Sequence, residues 1–158
     1  MKELQSLNID LSWNYLGYNQ NLQILPFQRN LLILIINLRW NSIGDQGLTC
    51  ISDSIIKMRN LQYLDIDLFN NQIQNNGYSA LARSIGYIKN LVKLNINLGK
   101  NIIKDNGVIN FNKEIQKQKN LVELALILDE NQIGYNTNLH FYNSLNYLTK
   151  LKNLILKF

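Results

Sequence analysis

One pattern returns along this chain at an interval of thirty residues, and it leaves few folds open. Leu61, Leu64, Ile66, Leu68, Asn71, Ile73 and Gly77 are followed, thirty residues on, by Leu91, Leu94, Ile96, Leu98, Asn101, Ile103 and Gly107. Thirty further stand Leu121, Leu124, Leu126, Leu128, Asn131 and Ile133, and thirty before the first set stand Leu31, Leu34, Ile36, Leu38, Asn41, Ile43 and Gly47. An opening copy, Leu4, Leu7, Ile9, Leu11 and Asn14, lies 27 residues earlier, and Leu151, Leu154, Leu156 and Phe158 form a partial closing copy. The chain holds 26 asparagines, so one asparagine carries little information. The same asparagine in five of five copies would still arise by chance on the order of once in 10,000.

Each copy changes period once. Leu64, Ile66 and Leu68 alternate with Tyr63, Asp65, Asp67 and Phe69, the two-residue period of a strand. Leu48, Ile51, Ile55 and Met58 then follow helical spacing, as do Tyr78, Leu81, Ile85 and Ile88, and Val108, Phe111 and Ile115. A unit of strand, turn and helix cannot bury its apolar face alone, but stacked units share a continuous core. The expectation is therefore one α/β domain over 1–158, with units starting near 4, 31, 61, 91, 121 and 151. Six parallel strands spaced about 4.8 Å apart span roughly 24 Å, an open right-handed solenoid with strands on the concave face and helices on the convex face. The side-chain amides of Asn14, Asn41, Asn71, Asn101 and Asn131 can both donate and accept, and are expected to form a buried ladder satisfying the turn backbone. Gly47, Gly77 and Gly107 are expected where the loop bends tightly into the helix.

The segments "LQYLDIDLFNNQIQNNG" and "LVKLNINLGKNIIKDNG", with "NSIGDQG" in the second copy, resemble the leucine-rich repeats of the ribonuclease-inhibitor class. The resemblance covers residues 4 to 158 and implies a leucine-rich-repeat solenoid that presents its concave sheet to a protein partner. It departs from the class in carrying two more residues in the strand block, which predicts a longer strand per unit. No polar capping unit is visible at either end, so the terminal strands call for cover by neighbours in an assembly or by a longer array. In the fifth copy Thr137 replaces the glycine and Asn138 falls on the helix stripe, with Phe141, Leu145 and Leu148 continuing it. That predicts a helix with a shifted or irregular start.

The alternation assigns side chains to the concave face: Ser6, Asn8, Asp10 and Ser12; Ile33, Ile35, Asn37 and Arg39; Tyr63, Asp65, Asp67 and Phe69; Lys93, Asn95, Asn97 and Gly99; Glu123, Ala125, Ile127 and Asp129; and Asn153, Ile155 and Lys157. Three bases against five acids make this face about −2 where the whole chain is +5. A phosphate backbone needs a basic track, so nucleic acid is not expected in the concave groove. The remaining +7 lies elsewhere, with Lys113, Lys117 and Lys119 read as one helix and Lys57, Arg59, Arg83 and Lys89 on its neighbours. Trp13 and Trp40 share the position just before the ladder asparagine and should sit side by side at the rim. Tryptophan is enriched in binding hot spots. The candidate protein-binding residues are therefore Trp13, Ile33, Ile35, Arg39, Trp40, Tyr63, Asp65, Asp67, Phe69, Asn95, Asn97, Glu123, Ile127 and Asp129.

Catalysis, cofactors and a small-molecule substrate find no support in the residues. His140 is the single histidine and Cys50 the single cysteine, which excludes an intrachain disulfide and a cysteine zinc cluster. Asp65 and Asp67 point the same way but lack further oxygen ligands for a metal. "IGDQG" lacks the ending of a phosphate loop. No apolar run approaches transmembrane length, and the N-terminus has no signal-peptide core. The expectation is a non-enzymatic interaction scaffold, a structural subunit of a larger intracellular assembly, cytoplasmic or cytoskeletal, whose partners are other protein subunits. Two other readings stand beside it: a regulatory module similar to the Ran-type GTPase-activating proteins, and an RNA-binding module using the basic convex face.

Overall fold

A computed structural model describes residues 4–18, 22–25 and 29–158. Six five-residue strands, β1 (Ser6–Asp10), β2 (Ile33–Asn37), β3 (Tyr63–Asp67), β4 (Lys93–Asn97), β5 (Glu123–Ile127) and β6 (Asn153–Lys157), form one parallel sheet in chain order. The register follows the repeat: Leu64 pairs with Leu34 and Leu94, and Ser6 pairs with Ile33 across the shorter first interval. Backbone pairing runs on past the strand ends. Leu38 N donates to Asp67 O at 2.8 Å and Trp40 N to Phe69 O at 3.0 Å. The two additional residues per unit thus lengthen the ladder rather than the strand itself.

Among the described residues four helices return the chain to the start of the next strand: α1 (Gly44–Ile55), α2 (Asn75–Tyr87), α3 (Asp105–Ile115) and α4 (Tyr135–Leu145). In the first unit the described residues hold only a short 3-10 turn, Leu16–Tyr18. The helices pack in sequence, α1 on α2, α2 on α3 and α3 on α4. Every inward strand position from Leu34 to Leu128 is buried in one core with the helix stripes of Leu48, Leu81, Val108 and Phe141. Tyr78, Phe111 and Phe141 stack in a row through that core, with ring centroids 5.2 and 6.2 Å apart.

The asparagine ladder carries the turns. Asn71 Oδ1 accepts from Asn41 N (3.1 Å) and Ile43 N (3.2 Å) of the preceding coil, and its Nδ2 donates to Leu38 O (2.8 Å). Asn41 and Asn101 repeat this arrangement, and all three side chains are buried. The ladder is not buried at its ends. Asn131 is half-buried, and Asn14 is exposed because no described coil lies before it to receive its amide.

Three further expectations are corrected. Gly47, Gly77 and Gly107 lie within the first helical turns, not at a bend before them, and none has a positive φ. Their role is close approach: a Cβ on Gly77 would stand 2.9 Å from Asp45 Cα and one on Gly107 2.8 Å from Asn75 Oδ1. The space is taken by polar clamps between coils, in which Asp45, Asn75 and Asp105 accept from Gln74 N, Lys104 N and Gly134 N. Secondly, α4 begins at Tyr135, thirty residues after the start of α3, so Thr137 fits the glycine position without shifting the helix; its side chain is buried. The side chains of Asn138 and His140 lie outside the described residues. Thirdly, Lys117 and Lys119 lie beyond the end of α3, Lys57 and Arg59 beyond α1, and Lys89 beyond α2. They line the helix-to-strand corner, leaving Lys113 and Arg83 on the helices.

The Tyr78 hydroxyl is fully buried with no hydrogen-bond partner, and burial holds its pKa well above the ordinary tyrosine value. Removing an unsatisfied buried hydroxyl while keeping the ring in its stack relieves a desolvation penalty. Tyr78→Phe is therefore expected to stabilise the fold by about 1 kcal/mol, read as a higher urea midpoint at unchanged slope.

Candidate protein-interaction surface

The residue before each ladder asparagine adopts a left-handed backbone: Trp13, Trp40, Asn70, Lys100 and Glu130 have φ between 54° and 62°. For residues other than glycine this conformation costs roughly 1–2 kcal/mol. It recurs in five coils, so it belongs to the turn and not to one special site. Its consequence is directional, because it aims the side chain outward at the rim of the sheet. In the first two coils that side chain is tryptophan. The rings stack at 4.6 Å with 8° between their planes.

The rim is extended by its neighbours. Phe69 lies 5.9 Å from Trp40, the Arg39 guanidinium sits 4.9 Å over Phe69, and Lys100 Nζ sits 4.7 Å over Trp40. Trp13 is 65% exposed, so one broad indole face is open to solvent. A groove of about 170 Å³ runs beside it, lined by Trp13, Tyr15, Trp40, Ser42, Asn70 and Gln72. Of the sequence candidates, Trp13, Trp40, Phe69, Arg39 and Asp67 come together here, Arg39 and Asp67 at 3.7 Å.

A second cluster forms on β3 to β5. Tyr63 Oη donates to Asp65 Oδ2 at 2.8 Å, and Asn95 Nδ2 donates to the same oxygen at 3.0 Å. Burial, then the bond to Asp65, pushes the Tyr63 hydroxyl pKa up. Lys93 pairs with Glu123 at 2.8 Å and lies over the Tyr63 ring. The pair raises the lysine's pKa and lowers the glutamate's. The glutamate's share is thus present above its ordinary pKa and fades as pH falls through the depressed one; both groups are substantially exposed, so the effect on stability is small.

Asp67 and Asn97 have work within their own coils. Each accepts from the backbone N–H two residues on, Phe69 N and Gly99 N, and Asp10 and Asn37 do the same for Ser12 and Arg39. These positions close the strand ends. Ile33, Ile35 and Ile127 are half-buried on the open face. Asp129 is set apart on the β5 side, its Oδ1 sealed without a partner close to where a Gly99 Cβ would stand. No group of three or more potential metal ligands occurs among the described residues, and none of their helices is long and apolar enough to cross a membrane.

A further periodic feature escaped the sequence reading. Asn60, Asn90 and Asn120 form a second asparagine row, donating to Arg29 O, Arg59 O and Lys89 O of the preceding coil at 3.0 to 3.1 Å. The signal was present as Arg29-Asn30-Leu31, Arg59-Asn60-Leu61, Lys89-Asn90-Leu91 and Lys119-Asn120-Leu121.

No family model and no curated protein matches this chain. Among solved structures it is similar to one titled "Leiomodin-1 Actin-Binding Site 2 (ABS2)", with a TM-score of 0.60 over 99% of this chain and 72% of that one. The two share 15% sequence identity, so the likeness is one of fold.

Proposed function

We propose that the chain is a leucine-rich-repeat solenoid of the ribonuclease-inhibitor type that acts as a non-enzymatic protein–protein interaction scaffold within a larger assembly. The observation that carries the reading is the stacked Trp13–Trp40 pair with an open indole face. Tryptophan and arginine dominate binding hot spots because a large, rigid or planar group gains much contact for little lost conformational freedom. Rings already held in a stack lose still less on binding. Lys100 supplies positive charge at the edge of this platform, while Arg39 is paired with Asp67, an edge suited to a partner surface with a carboxylate among apolar groups. The solved structure of similar fold is titled an actin-binding site, in keeping with protein binding on such an architecture.

The test is affinity capture with cross-linking mass spectrometry, comparing the natural chain with Trp13→Ala/Trp40→Ala. Cross-links are expected to map to the rim and the open face. The double variant should bind its partner at least about 30-fold more weakly, the scale of a hot spot of about 2 kcal/mol. Capture of the same partners with unchanged affinity by the folded double variant would overturn the assignment.

A further inference from the structure

We propose that the corner where the helices hand over to the strands binds single-stranded nucleic acid. Arg29, Arg59, Lys89 and Lys119 recur every thirty residues and are all exposed. They are held in a row. The next residue's asparagine amide, in Asn60, Asn90 and Asn120, pins the backbone carbonyl of the cation one coil earlier, and the leucine after it is buried in the core. Coils in parallel register stack about 4.8 Å apart at the strand, so the row is a continuous cationic track.

Two residues before Arg59, Lys89 and Lys119 stand Lys57, Tyr87 and Lys117, and Tyr147 holds the same place in the next coil, where Thr149 takes the position of the cation. Positive charge therefore alternates with aromatic rings along a parallel line. Tyr87 and Tyr147 are 65% and 53% exposed. Lys119 Nζ sits 5.4 Å from the Tyr147 ring centre and donates to Tyr147 O. A groove of about 690 Å³ opens on the track, lined by Arg29, Ile56, Lys57, Arg59, Asn60 and Tyr87, with no acid among these residues. Of the nearby acids, Glu114 is paired with Lys117 at 2.6 Å, and Asp53 faces a neighbouring hollow with Arg83 and Tyr87.

Helix C-termini attract cations on their own account, and Lys89 Nζ does donate to Gly86 O at the end of α2. That accounts for charge at the corner but not for exposed tyrosines interleaved with it. Cations that follow a phosphate backbone beside aromatic rings on which unpaired bases stack are the shared design of single-strand binders. A duplex keeps its bases inside and has no use for the rings, and an acidic peptide needs only the charges.

The experiment is fluorescence anisotropy with a labelled oligouridylate of about 20 nucleotides, set against the matching duplex and against polyglutamate. The single strand is expected to bind best. With four or five phosphates neutralised, its affinity should fall about 50- to 130-fold between about 50 and 200 mM salt. Arg59→Glu/Lys89→Glu should weaken binding more than about ten-fold, and Tyr87→Ala about ten-fold through lost stacking. Lys157→Glu, the same kind of charge change on the open face, should do much less. All the replaced side chains are exposed, and circular dichroism checks that the fold persists. No binding at the lower salt, equal affinity for duplex or polyglutamate, or indifference to Tyr87→Ala would each overturn the proposal. Trp13→Ala/Trp40→Ala should leave this binding intact, so the rim and the corner stand or fall separately.

Discussion

Asn71→Leu is expected to destabilise the fold by about 4 kcal/mol, near the top of the range for single substitutions. Leucine keeps the volume but offers no acceptor. The N–H groups of Asn41 and Ile43, both buried, lose the oxygen they share. Each orphaned buried donor costs about 1–3 kcal/mol because no water replaces the lost partner. Leu38 O loses one donor but keeps Asn41 Nδ2, and Phe69 O keeps Trp40 N, so the acceptor side suffers less. The same change at the end of the row isolates the mechanism. Asn14 is exposed, and among the described residues its amide bonds only to Ser12 O, so Asn14→Leu should cost about 0.5 kcal/mol or less. Urea titrations of the two variants test this directly. Equal losses would mean that inter-coil bonding is not what the ladder contributes.

What strand period, helix period and the thirty-residue repeat decide was legible from the sequence; what a particular close approach or hydrogen-bond partner decides mostly was not. The alternation of Leu64, Ile66 and Leu68 predicts their burial because strand geometry alone decides which face they take. The stripes from Leu48 to Met58 and from Tyr78 to Ile88 follow from helix geometry in the same way. Trp13 and Trp40 were placed side by side by counting, and they stack. Gly77 was misread because its reason lies in another coil, where Asp45 occupies the space a Cβ would need. Asp67 and Asn97 look like free surface groups until their carboxylate and amide oxygens are seen bonded to the next turn. The left-handed backbone under the tryptophans leaves no mark on residue choice, since tryptophan, asparagine, lysine and glutamate all occupy it. Asn60, Asn90 and Asn120 had full periodicity, but in a chain so rich in asparagine a polar residue between helix and strand reads as ordinary loop.

These differences divide the molecule's surface by purpose. Polar side chains on the open face largely satisfy one another, as in the cluster of Tyr63, Asp65 and Asn95 and the pair of Lys93 and Glu123. Groups so engaged must give up bonds before they can bind anything else. The Trp13 face carries no such debt, and the exposed rings of Tyr87 and Tyr147 stand outside the core. The rim and the corner are therefore the proposed binding surfaces, and the middle of the sheet is the frame that fixes their positions.

Phe111→Ala is expected to cost about 3–5 kcal/mol and to change the manner of unfolding as well as its midpoint. The ring is fully buried between Tyr78 and Phe141, with centroids 5.2 and 6.2 Å away, and Phe141 in turn meets Phe158 edge-on at 5.7 Å. Removing it empties a ring-sized space and breaks both aromatic contacts. Each coil touches only its neighbours, so stability in such a stack is close to a sum of coil and interface contributions. The loss falls on the α2–α3 and α3–α4 interfaces. In the variant, α4, β5 and β6 should exchange their amide hydrogens at lower urea than β2 and β3, and the overall transition should broaden with a smaller slope. The Trp13–Trp40 rim sits on the first two coils and should keep its partner under conditions where the last coils have already opened. A single sharp transition of unchanged slope, with uniform loss of protection, would show that the coils unfold as one unit and that the rim and the far end of the sheet are energetically inseparable.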